Sequence, residues 1–154
     1  MEAVMKIKAT QPVFVPPHTG RKLDFLAVTH KLTSQQTGAA YYMFESVFEP
    51  GTGNSLHVHR REDEVGYFLK GALDIRVGDQ VVVVEAGGAA HLPKNIPHSI
   101  HNPGKTLARY LFITVPAGLD RWFDALDAVR QVRSTMHFTA NSLWFTGLNS
   151  WSNC

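Results

Sequence analysis

His57 and His59 stand one residue apart, and Glu64 follows after four intervening residues, within GTGNSLHVHRREDEVGYFLKG (51–71). In an extended chain, residues i and i+2 face the same side, so this pair presents two imidazoles to one point at a separation a single metal ion bridges. Four residues suffice for a turn that carries a carboxylate from the next strand to the same ion. Glu62 shares the parity of Glu64 and competes with it, whereas Asp63 faces the other way. Downstream, HLPKNIPHSIHN (91–102) offers His91, His98 and His101. Parity there puts His98, Ile100 and Asn102 on one face and His101 on the other.

The elements that must position these residues read as β-structure. LDFLAVTHKL (23–32), AAYYMFESVFEP (39–50), EVGYFLK (64–70), ALDIRV (72–77), QVVVVEA (80–86) and LARYLFITV (107–115) are short runs rich in β-branched and aromatic residues. They alternate in part and are separated by Gly, Pro, Asn and Asp, as in a barrel or sandwich of antiparallel strands. Gly78-Asp79 between two apolar runs predicts a tight hairpin. Only GLDRWFDALDAVRQV has helical period, with Leu119, Trp122, Phe123, Leu126 and Val129 on one stripe and Asp120 in the first turn. That helix, over about residues 118–132, is expected to pack on the outside of a barrel core spanning about 20–116. The last 21 residues contain no Asp, Glu, Lys or Arg but hold Trp144, Phe145 and Trp151; the segment 134–154 is expected to be an irregular extension covering an apolar surface.

Composition bounds the partners. A chain of 154 residues with 44% apolar content fits a single domain with a real core. Fifteen basic and thirteen acidic residues give a formal charge of +2 without a block of like charges, which argues against nucleic acid or an anionic membrane as partner. The only cysteine, Cys154, excludes an internal disulfide and a multi-cysteine metal site. MEAVMKIKAT lacks an apolar segment of signal-peptide length, and no run approaches 18 apolar residues, so a cytoplasmic location is expected.

The spacing of the histidine stretch resembles the first motif of the cupin superfamily: Gly51, five residues, His57-x-His59, four residues, Glu64, six residues, Gly71. The second motif has its counterpart in Gly87, five residues, Pro93, then His98, three residues and Asn102, with Asn95 where a glycine is usual. Asn tolerates a left-handed backbone better than other non-glycine residues, so the turn survives the exchange. VPAGLDRWFDAL (115–126) resembles the ending of small single-domain cupins similar to quercetin dioxygenases. The resemblance implies an all-β double-stranded β-helix, the cupin jelly-roll barrel, with one C-terminal α-helix. It further implies that His57, His59, Glu64 and His98 hold one divalent transition metal ion per chain: Fe, Mn, Ni, Co, Cu or Zn. Such a set leaves up to two octahedral positions open, as catalysis requires.

Cupins of this kind usually carry a bulky residue two places after the ligand glutamate, where this chain has Gly66. The glycine either makes room beside the metal or marks a β-bulge or close backbone approach. Tyr42, Phe44 and Phe48, alternate residues of one strand, and Phe68 are candidates for an apolar wall, with Asn102 as a polar neighbour. Inward aromatics favour a flavonol-like or other enol or phenol substrate and a dioxygenase reaction, with Glu64 also taking the substrate proton. Inward Arg, Lys and Asn would instead favour a sugar-like ligand, for an isomerase or a non-catalytic binding module. A homodimer is expected, since open barrels cover exposed edges by pairing.

Overall fold

The computed structural model describes residues 11–142. Its internal contacts divide between Arg121 and Trp122 into two compact units. The first holds β1 (Arg21–Leu23), β2 (Val28–Leu32), β3 (Tyr42–Phe48), β4 (Asp63–Lys70), β5 (Ala72–Val77), β6 (Gln80–Glu85), β7 (Ala89–Leu92), β8 (His98–His101) and β9 (Ala108–Val115). They form a six-stranded sheet in the order β1-β2-β3-β9-β4-β7 and a three-stranded sheet in the order β6-β5-β8. Every pairing is antiparallel: β1–β2, β2–β3 and β5–β6 join consecutive strands, and β3–β9, β4–β9, β4–β7 and β5–β8 join strands distant in sequence.

Alternation sets the inner face. Tyr42, Phe44, Ser46 and Phe48 of β3 are buried, as are Glu64, Gly66 and Phe68 of β4 and Ala108, Tyr110, Phe112 and Thr114 of β9, while the residues between them are partly or fully exposed. The strand register aligns these residues in rows that cross the sheet. One row runs Tyr42, Thr114, Glu64, Leu92; the next runs Phe44, Phe112, Gly66, Ala90; a third sets Ser46, Tyr110 and Phe68 side by side. Successive rows lie about 6.6 Å apart, at two residues per row. From the second row onward the interior is aromatic, with ring centroids 5.7 Å apart for Phe44–Phe112, 4.6 Å for Tyr110–Phe112 and 5.3 Å for Phe48–Tyr110.

Three elements differ from the sequence reading. The predicted strand 23–32 is interrupted by a 3-10 turn at Asp24–Leu26, closed where the Ala27 N–H donates to the Asp24 carbonyl, with Ala27 left-handed at φ 53°. The stretch 91–102, read as one further β segment, falls in two strands of different sheets: β7, an edge strand of the larger sheet held by pairing with β4, and β8 of the smaller sheet. The helix α1 (Leu119–Ser142) continues well past residue 132, so the start of the expected irregular tail is helical. Of its predicted apolar stripe, Phe123 is buried, but Trp122 and Val129 are 56% and 57% exposed. Trp144, Phe145, Trp151 and Cys154, like the segment MEAVMKIKAT, lie outside the described residues. No helix among the described residues is long and apolar enough to cross a membrane.

The hairpin at Gly78-Asp79 forms as predicted, joining Val77 to its partner Gln80. The strand β6 that follows is an edge of the smaller sheet and leaves Val81, Val82 and Val83 more than half exposed.

Candidate metal centre

Four side chains converge at one level of the barrel. His57, His59, Glu64 and His98 each offer a ligand atom, and these atoms all lie within 4.8 Å of one another. Glu64 is contributed by β4 and His98 by β8, so both sheets take part. His57 and His59 come from an irregular segment before β4, not from a regular strand. An isolated antiparallel bridge ties His57 to His98, with the His57 N–H donating to the His98 carbonyl at 3.0 Å and the His98 N–H returning at 2.8 Å. The Asn95 N–H holds the His59 carbonyl at 2.8 Å. Asn95 itself adopts φ 66°, the left-handed conformation expected where the motif usually has glycine.

The donor set fits a metal ion. His57 Nδ1 lies 2.8 Å from the Ser55 carbonyl and His98 Nδ1 lies 3.2 Å from the Ile96 carbonyl, a contact that fixes the proton on Nδ1 and turns Nε2 toward the centre. His98 Nε2 is buried without a hydrogen-bond partner, which a lone pair reserved for a metal explains. Glu64 Oε2 lies 3.1 Å from His59 Nε2 and 3.6 Å from His98 Nε2. Adjacent ligands at about 2.1 Å from an octahedral ion stand about 3.0 Å apart, so these separations close on an ion with little movement.

Electrostatics prepare the same residues. Burial alone would raise the Glu64 carboxyl, but the hydrogen bond from His59 and the nearby rings of His59 and His98 outweigh it and hold the group below its ordinary value. Burial pushes His57 below the ordinary imidazole value, against its bond to the Ser55 carbonyl, and so favours the neutral ligand form. His59 is raised, first by its hydrogen bond to Glu64, with burial opposing. Away from this group, His91 and His101 are exposed and His30 is engaged with Tyr42, its Nδ1 3.0 Å from the tyrosine hydroxyl.

The residues expected to shape the pocket divide. Tyr42 lies in the Glu64 row and Phe44 in the row below, close enough to border the centre. Phe68 is four residues along β4 from Glu64, about 13 Å, and Phe48 six residues along β3 from Tyr42, about 20 Å, so both belong to the deep core. Asn102 is buried and fully engaged: its Nδ2 donates to the carbonyls of Phe48 and Thr106, and its Oδ1 accepts from the Gly104 N–H, each at 2.9 Å. It ties the loop after β8 to the end of β3 and has no donor left for a ligand. Gly66 makes no room beside the metal. A Cβ there would lie 2.5 Å from Cε1 of Phe112, whose ring occupies the space a larger side chain would fill. The glycine admits an aromatic ring from the paired strand, which is neither the extra room nor the β-bulge or close backbone approach expected from sequence.

Thr114 and Leu92, which flank Glu64 in its own row, were not singled out from sequence. Parity marks Thr114 as the polar member of an otherwise apolar or aromatic inward set in β9, but only the register of β9 against β4 places it beside Glu64.

Fold and site together define a metal-binding β-barrel of two antiparallel sheets. Residues 44–114 match the family described as the cupin domain. That match spans less than half of the chain, and the structural neighbours support the double-stranded β-helix fold. A predicted oxalate decarboxylase from Thermotoga maritima is 26% identical, with a TM-score of 0.55 over 58% of this chain and 78% of that one. KdgF from Halomonas sp. is 17% identical, with a TM-score of 0.60 over 72% of this chain and 99% of that one, a likeness of fold. Mannose-1-phosphate guanylyltransferase 2 of Escherichia coli O157:H7 is 30% identical over 74 residues, which are 48% of this chain and 15% of that protein. The chain therefore spans only a small part of the curated relative it matches.

Proposed function

We propose that this protein is a metal-dependent oxidoreductase of dioxygenase type, acting on a small substrate that chelates through an enol, phenol or comparable oxygen pair. The observation that carries this reading is the four-residue donor group, whose three imidazoles and one carboxylate leave open positions on an octahedral ion. A bound divalent ion would supply Lewis acidity toward the substrate oxygens and, where it is redox-active, electron transfer to O2. The chain's own residues do the rest. His57 and His98 keep fixed tautomers through their backbone carbonyls, and Glu64 is held ionised, within reach of a substrate hydroxyl proton once its bond to His59 yields.

The interior supports a small oxygen ligand over a large flat one. Of the aromatic side chains that favoured a flavonol, Phe48 and Phe68 pack against Tyr110 below the site, which leaves Tyr42 and Phe44 as the neighbouring wall. No Lys or Arg is among the buried residues described, which weighs against a phosphorylated sugar. The likeness to a predicted oxalate decarboxylase agrees with a compact chelating ligand. A second reading, binding or isomerisation of a sugar-like ligand, draws on the match to the sugar-phosphate guanylyltransferase.

The test is oxygen uptake by the metal-reconstituted protein with a panel of catechols, β-diketones, flavonols and oxalate. Uptake with an enol or phenol supports the oxidoreductase reading. Stoichiometric metal with no uptake on any member contradicts it in favour of binding or isomerisation.

A further inference from the structure

We propose that Thr114 forms a hydrogen-bonding subsite for one oxygen of the molecule that reaches the metal centre. The inference rests on the chelating-ligand reading above and adds the residue that orients such a ligand. Thr114 is 0% exposed, and its Oγ1 is buried without a hydrogen-bond partner. A buried hydroxyl left in that condition is destabilising, and native structures retain few of them without a functional or solvent partner.

Its position says which partner. Thr114 pairs with Glu64 on one side and Tyr42 on the other. Directly opposed residues on one face of an antiparallel sheet have Cβ atoms about 4.5–5.5 Å apart, so the threonine hydroxyl stands one side chain from the Glu64 carboxylate. The Tyr42 hydroxyl in the same row is directed to His30 Nδ1 at 3.0 Å, which leaves Thr114 as the hydroxyl of that row with no partner assigned. The hydroxyl is neutral and both donates and accepts, which suits a hydroxyl or carbonyl oxygen of a chelating ligand.

The sequence could have avoided the cost. Valine has the shape of threonine and is common in these strands, so it would fill the position without an unsatisfied group. A structural role and a ligand role therefore predict opposite signs for Thr114→Val. In the subsite account the metal-free variant melts above wild type, because an unpartnered hydroxyl has been removed. If the hydroxyl were structurally bonded, the variant would melt below it.

The experiment compares wild type, Thr114→Val and Thr114→Ser, each metal-free and reconstituted with Zn(II), using 4-nitrocatechol as a chromophoric chelating probe. The expected result is equal zinc stoichiometry in all three, nitrocatechol affinity within about twofold of wild type for the serine variant, and about tenfold weaker binding for the valine variant, the equivalent of one ordinary hydrogen bond. Nitrocatechol binding equally well to wild type and Thr114→Val overturns the subsite alone. A wild type that holds zinc but no nitrocatechol contradicts the chelating substrate and the subsite with it. A metal-free Thr114→Val that melts below wild type shows the hydroxyl to be structural, and overturns the proposal whatever the metal does.

Discussion

The row of Glu64 and the row beneath it are made by the same strands, two residues apart, yet they do different work. Tyr42, Thr114 and Glu64 put two hydroxyls and a carboxylate at the level of the histidines. Phe44, Phe112 and Gly66, one step further along the same strands, form a solid aromatic layer in which one ring occupies the place of a missing side chain. The upper row tolerates unsatisfied polar atoms, and the lower row tolerates no spare volume. Function and stability are thus separated by about 6.6 Å along a strand, and substitutions should fall cleanly on one side or the other.

The largest effect is expected at the upper level. His98→Ala should keep the fold but lose metal affinity by more than the roughly 10–100-fold that removal of a group supporting a ligand costs. Competition with a chelator of known strength measures this. An unchanged affinity would merge the two levels and remove the basis for calling the upper one a metal centre.

At the lower level, Phe112→Ala should destabilise the protein by about 3–5 kcal/mol in urea unfolding, the range for deleting a buried aromatic side chain, and leave metal stoichiometry of the folded fraction intact. Gly66→Ala should cost about 1–3 kcal/mol by overpacking, since the new methyl meets the Phe112 ring. The sharper form of this test is the double variant Gly66→Ala/Phe112→Leu. If the two positions share one volume, its loss will be smaller than the sum of the single losses. Simple additivity would show that Phe112 does not fill the glycine's place.

Asn102→Ala should cost about 1–3 kcal/mol, because it removes the buried amide that bonds the carbonyls of Phe48 and Thr106 and the Gly104 N–H and so anchors an exposed loop. Metal affinity should not change. A variant with wild-type stability but altered ligand binding would return Asn102 to the pocket.

The smallest effect is on the pH dependence of the metal-free protein. The Glu64 carboxyl is lowered, so its contribution is fully present above its ordinary value and is lost as pH falls through the folded value. His59 is raised, so its contribution is fully present below the ordinary imidazole value and is lost as pH rises through the folded value. His57, lowered by burial, costs stability at acid pH. The Glu64–His59 pair should therefore stabilise most in the mildly acidic window between the ordinary carboxyl and imidazole values. Melting temperature against pH should show that window for wild type and a flatter profile for His59→Gln; identical profiles would contradict the pairing.

Much of this was legible in the chain, for a physical reason. The spacing of His57, His59 and Glu64 is short and local, whereas His98 is joined to them only by the resemblance of the second stretch to a cupin motif; the ligand atoms of the four lie within 4.8 Å of one another. The inward parity of β3, β4 and β9 could likewise be read from alternation. What escaped depends on which strand lies beside which. The sequence showed that Gly66 lacked bulk, but only the β4–β9 pairing shows Phe112 supplying it. Asn102 had the parity of a site residue, but its hydrogen bonds to the backbone around it decide its role. The edge strand β7 carries Ala89 and Ala90, weak strand formers, and owes its conformation to β4.

The central claim is that these four side chains bind one divalent ion, and titration of the metal-stripped protein with Co(II), followed by its visible absorption, tests it most directly. The account predicts an end point at one ion per chain with the spectrum of a nitrogen- and oxygen-ligated high-coordinate cobalt, and no comparable end point for His98→Ala or Glu64→Ala. Weak, non-saturating uptake by wild type, or an end point that both variants retain, would contradict it.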